Sequence, residues 1–174
     1  SRPISRSKVL LSKLIIVFGY TIILMFYFIF YSLLVSITWL GTGELAGFHN
    51  GLLFLSENDA LTRFLIAFLT STIVMLTVSS LCFLISTISK NSVTPIIITI
   101  STVFVGTAIS IIPIEFFEKL NPYLFTGYIN SYLSAFYDPI PWDELRQLFL
   151  VCFIWKIIFV STAFAHFLKK DIVD

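Results

Sequence analysis

Charge is the property this chain has least of. Only 12% of its 174 residues are Asp, Glu, Lys or Arg, where a soluble domain carries about 25%. The shortage is local: between Lys13 and Glu44 there is no charged residue at all, and none from Phe64 to Ser89. A water-exposed surface cannot be built from such runs, so a soluble globular domain is excluded. The two cysteines, Cys82 and Cys152, both lie inside apolar stretches and read as free thiols, which excludes a disulfide framework. Neither His49 nor His166 stands at ligand spacing from another metal-binding side chain, so no metal site is expected. The chain has no Gly-x-x-x-x-Gly-Lys-Ser/Thr phosphate loop, no paired base for its serines and no basic nucleic-acid face. Catalytic residues, and a cofactor held by this chain, are therefore not expected.

What the chain has in abundance is apolar length. Hydrophobic residues make up 57% of it, and Phe alone occurs 19 times. Four uncharged or nearly uncharged stretches, residues 14–40, 61–89, 93–114 and 148–168, are each long enough for a hydrocarbon core of about 30 Å. In lipid every backbone group must pair internally, and continuous rather than alternating apolar runs select helices over a β-barrel. The expected fold is an all-α, polytopic membrane protein with four transmembrane helices, forming a single transmembrane domain over residues 1–174. The first run is about twice the length of a signal-peptide core, so a spanning helix is the better assignment. The chain opens on Ser1 rather than Met, which suggests a fragment.

Cation placement orients the spans. With residues 1–13 on the cytoplasmic side, the inner segments hold Arg2, Arg6, Lys8, Lys13, Lys90, Lys169 and Lys170, and the outer ones only Arg63, Lys119 and Arg146. This seven-to-three split follows the positive-inside rule and returns both termini to the cytoplasm of a multi-pass cell-membrane protein. The loop 41–63, with Gly-Thr-Gly and His-Asn-Gly, reads as a flexible crossing. The stretch 115–147 is long yet rich in Phe, Tyr and Leu, and is broken by Pro122, Gly127, Pro139 and Pro141. It reads as one or two short re-entrant or interfacial helices before the last span, too greasy for a solvated loop.

The first thirteen residues carry a family likeness. Ser1-Arg2-Pro3-Ile4-Ser5-Arg6-Ser7-Lys8, then Leu10-Leu11-Ser12-Lys13 and a span, resembles the cytoplasmic segment of ABC-2 type transporter permeases. That family shows a Pro-hydrophobic-Ser/Thr-Arg core, leucines, and Gly-Lys before a transmembrane helix; Ser12 departs from it where Gly is usual. Four following spans, a broken outer segment and Leu120-Asn121-Pro122 extend the likeness over essentially the whole chain and imply that the family's first two helices are missing. The resemblance implies that Pro3, Ile4, Ser5, Arg6 and Lys13 form a coupling segment for a separate ATP-binding cassette subunit, which would bind the ATP and Mg. It also implies a second permease subunit, identical or not. Read without the resemblance, the same cations are membrane anchors; Pro3 holds Arg2 extended, and Ser5 can cap a helix starting near Arg6.

Within the spans, Thr72, Met75, Ser79, Cys82 and Ser86 recur at steps of three and four, and Thr102, Gly106 and Ser110 form a small-x-x-x-small series. Both series suit close helix packing, and both could line a pathway. Lys156 lies well inside the last span, where a lysine is costly and marks a functional position unless it snorkels or faces protein; Glu115 and Glu118 are its candidate acidic partners. The reading that follows is a transmembrane permease subunit of an ABC-2 type exporter, not itself an enzyme. The alternatives are a non-transporting membrane sensor or assembly subunit, and a small ion-coupled carrier using Lys156.

Overall fold

Each uncharged run folds as one helix, and three of the four helices begin ahead of it in polar sequence. The computed structural model describes residues 6–41, 45–48 and 52–169. Helix α1 runs from Arg6–Leu40, α2 from Glu57–Ile88, α3 from Val93–Ile111 and α5 from Trp142–Lys169; the short α4, Glu115–Leu120, stands between α3 and α5. These four long helices are apolar and long enough to cross a membrane, and the chain is an all-α polytopic membrane protein. At 1.5 Å per residue α1 is about 52 Å long and α2 about 48 Å, so both outrun a ~30 Å hydrocarbon core. That is why α1 begins at Arg6, eight residues ahead of the apolar run, and α5 at Trp142, six ahead.

Local chemistry sets the ends. Ser56 caps α2, its Oγ accepting from the Asp59 amide and donating to Asp59 Oδ2 at 2.7 Å. Helix α3 stops at Ile111, three residues short of the apolar run, because Pro113 drives Ile112 into extended backbone (ψ 118°). Pro95, the third residue of α3, needs no amide partner there and is buried. Between α1 and α2 lies a short antiparallel hairpin, β1 Leu45–Phe48 against β2 Leu52–Leu55, with Leu45 opposite Leu55 and Phe48 opposite Leu52. The sequence reading had a flexible crossing here; Asn50-Gly51 between two apolar stretches is a hairpin signal.

Packing is centred on α2, which touches α1, α3, α5 and the segment after α4. One buried cluster joins Val74 and Leu81 of α2 to Leu148, Cys152 and Phe159 of α5 and to Phe125. A second lies at the N-terminal side, where Leu10 and Leu14 of α1 meet Phe83 of α2 and Ala163 of α5. The α2–α5 seam also buries hydroxyls: Thr70, Thr77 and Ser80 are 2% exposed or less. Each returns its proton to a carbonyl three or four residues back, and Thr77 Oγ1 also reaches Cys152 O at 3.4 Å. Hydroxyls satisfied this way allow close helix approach at no cost in unpaired groups.

Candidate functional site: a side-opening cavity beside a re-entrant segment

The segment between α3 and α5 is where the fold departs from a plain bundle. After α4 the chain makes three 3₁₀ turns, Asn121–Tyr123, Phe125–Tyr128 and Ser131–Phe136. Pro122 and Gly127 prevent a regular helix, and each turn closes its own backbone bonds, such as Gly127 N to Leu124 O at 3.1 Å and Tyr137 N to Ser134 O at 3.2 Å. Irregular backbone survives at membrane depth only when it is satisfied and covered by protein. Phe125 meets Trp155 and Phe159 of α5 edge-on, at 5.9 and 5.8 Å between ring centroids, and Trp155 Nε1 donates to Tyr123 O at 2.9 Å. Thr126 sits against Gly106, which lies about 8 Å back from the end of α3. The segment therefore dips between α3 and α5, re-entrant with respect to the end of α3, rather than lying across the end of the helices.

Two glycines permit that entry. A methyl group on Gly106 would collide with the Thr126 side chain, and one on Gly127 with the side chain and carbonyl of Asn121. Gly106 thus serves a contact between α3 and the second turn, while Thr102 and Ser110 are half-buried beside it and bond carbonyls of their own helix. Asn121, from the Leu-Asn-Pro triplet, packs on Gly127, and Tyr128 Oη ties the turns together through Pro122 O at 2.8 Å. Arg63 fixes the exit: its guanidinium donates to Tyr137 O and pairs with Asp138 at 3.1 Å.

A cavity of about 740 Å³ opens between α1, α2 and this segment. Its walls come from α1 between Tyr20 and Ser32, from α2 between Phe64 and Ser79, and from Ile129, Tyr132 and Phe136. Among the described residues no Asp, Glu, Lys or Arg lines it. It exists because α1 is buried against the rest at its N-terminal third through Leu10 and Leu14, while farther along its lining residues Tyr20 and Phe28 stay more than half exposed. One polar tie crosses it, Thr21 Oγ1 to Ser79 Oγ at 2.8 Å.

The residues singled out in the sequence fall in different places. Ser79 and Met75 line the cavity. Thr72 is half-buried and bonds Phe68 O; Ser86 is exposed. Pro3, Ile4 and Ser5 lie outside the described residues, as does Lys170; Arg6 is the first residue of α1 and Lys13 is exposed two turns on. Lys156 is half-buried fourteen residues into α5, on the stripe of Cys152, Phe159 and Ala163. Neither candidate acid serves it: Glu115 pairs with Lys119 at 2.7 Å, and Glu118 is exposed on α4. Sequence reasoning missed the Thr21–Ser79 tie and the seam of Thr70, Thr77 and Ser80, since a hydroxyl at helical spacing does not declare which face is inward.

Four spanning helices around a buried seam, with a re-entrant segment and a side-opening cavity, define a polytopic membrane protein. Residues 1–106, from the basic segment through the first three spans to Gly106, match the sequence model of the ABC-2 family transporter proteins, and the chain belongs to that family. The re-entrant segment and α5 lie past the matched region. No curated protein and no solved structure matches the chain. It is a membrane transporter permease.

Proposed function

We propose that this permease is a subunit of an ATP-driven exporter, with residues 1–13 and both termini in the cytoplasm. ATP and Mg are bound and hydrolysed by a separate ATP-binding cassette subunit, and a second permease, identical or related, completes the pathway. This chain itself carries no catalytic residue. The seven-to-three cation split supports the orientation. The observation that carries the coupling is the continuity of α1: Arg6, Lys8 and Lys13 belong to the same unbroken 35-residue helix that crosses the bilayer and forms one wall of the cavity. Closure of a nucleotide-binding dimer against the basic end would tilt that wall as a rod, with no hinge between to absorb the motion. An ion-coupled carrier would need an acid beside Lys156, and of the two candidates Glu115 pairs with Lys119 and Glu118 is exposed on α4.

The test is capture from native membranes. A tagged permease should retain an ATP-binding cassette protein through detergent extraction. In a background lacking Cys82 and Cys152, Asn91→Cys should react only with reagents that reach the cytoplasm, and Asn50→Cys only from outside. Recovery of the permease without any ATP-binding protein, or labelling of Asn91→Cys from outside, would contradict the reading.

A further inference from the structure

We infer that the cavity between α1, α2 and the re-entrant segment binds a single uncharged molecule with an apolar body and one hydrogen-bond donor, entering sideways from the bilayer. The inference deepens the transporter reading by naming the class of compound held at its wall.

Size comes first. The volume of about 740 Å³ lies within the ~300–1,000 Å³ of small-molecule sites. One extended apolar chain or a narrow ring system is of that size.

Charge comes second. With no Asp, Glu, Lys or Arg in the lining, an ionic group inside would be uncompensated in a low-dielectric site. The polar feature is the Thr21–Ser79 pair. Thr21 Oγ1 reaches Val17 O at 2.9 Å, Ser79 Oγ reaches Met75 O at 2.9 Å, and the two hydroxyls meet at 2.8 Å. Two hydroxyl protons are thus spent on three contacts, while acceptor lone pairs remain. The pair offers an acceptor to an incoming O–H or N–H.

Adaptability comes third. The chain has two methionines, Met25 and Met75, and both line this cavity. Methionine is the unbranched, polarisable side chain that conforms to ligands of varied shape. Neither residue sits in the two tightly packed clusters. Their convergence here points to a site for apolar bodies of more than one outline.

The same two residues provide the assay. The full chain, labelled with ¹³C at the methionine methyls and placed in lipid nanodiscs, should give two signals. Dodecanol should shift both saturably, and dodecyl sulfate and dodecyltrimethylammonium, with the same chain length, should bind at least tenfold more weakly. Ser71→Phe, which fills the cavity from α2, should abolish both shifts while the thermal unfolding midpoint stays within a few degrees. Ser79→Ala, which keeps the volume, should weaken dodecanol binding several-fold. The inference is overturned by shifts that rise linearly with alcohol as for bilayer partitioning, by equal affinity for the charged analogues, or by shifts that follow the number of protein copies per disc. Loss of the alcohol site with an ATP-binding subunit still co-purifying would refute this inference alone; absence of that subunit would refute the exporter reading whatever the methionines report.

Discussion

Helices α1 and α2 are nearly equal in length and similarly apolar, yet they are used in opposite ways. Inside the chain 33% of the central window of α2 is buried, against 11% of that of α1. Helix α2 reaches its partners through the small residues Ala67, Thr70, Thr77 and Ser80 together with Val74, Leu81 and Phe83. Helix α1 presents Tyr27, Phe28, Phe30 and Tyr31, all exposed, and holds on through Leu10 and Leu14, the Thr21–Ser79 tie and the edge-on contact of Phe26 with Phe68. In a bilayer apolarity does not distinguish a packed helix from a free one; closeness of approach does. The seam of α2, α5 and the re-entrant segment is therefore the tightly packed body, and α1 the more lightly held element.

Substitutions in the packed body should cost most. Phe125→Ala removes a 4%-exposed ring from between Trp155 and Phe159. It should lower stability by up to about 3 kcal/mol, the low end for a core aromatic because lipid replaces part of the lost contact. Thermal unfolding in detergent measures this, and hydrogen exchange should show residues 121–137 losing protection. Gly106→Ala should cost about 1–3 kcal/mol through overpacking on Thr126; adding Thr126→Gly should recover most of it, and no recovery would mean that the contact is not what limits the site. Arg63→Met should cost about 1 kcal/mol, since Asp138 is half exposed and only the Tyr137 carbonyl loses a strong donor. Its signature is faster proteolysis near Asp138 with the spans unaffected. Smallest is the tie between the two bodies: in a Thr21→Val, Ser79→Ala cycle the coupling should be about 0.6 kcal/mol, the average for hydroxyl bonds between spans. A coupling several times larger would make α1 part of the packed body and remove the contrast.

The spans were legible because bilayer thickness acts on every residue of a run, so continuous apolarity is enough to find them. Their ends were less so: α1 starts at Arg6 and α5 at Trp142 because helical backbone continues into the interface, where charge no longer argues against it. The composition of the outer segment pointed to burial. Its depth did not follow, since depth is set by Phe125 finding Trp155 and Phe159, residues 30 and 34 positions away. The hydroxyl series at Thr72, Ser79 and Ser86 and the buried one at Thr70 and Thr77 share a spacing of seven and differ only in which face meets α5. No local pattern distinguishes them. Lys156 stood out, but Glu115 and Glu118 could serve it only if the segment after α3 carried them inward; α4 leaves both exposed, and Glu115 pairs with Lys119.

The most direct test bears on the link between the basic end of α1 and the ATP-binding subunit. Ile4→Asp would place an unpaired carboxylate where an apolar anchor docks, a cost of several kcal/mol, and Arg6→Ala would remove a charge-assisted contact of about 1–3 kcal/mol. Arg2, Lys8 and Lys13 remain to hold the topology in both variants. The double variant should insert normally yet fail to retain the ATP-binding subunit or stimulate its ATP hydrolysis. Normal complex formation with coupled hydrolysis would contradict the docking role and leave the segment a membrane anchor.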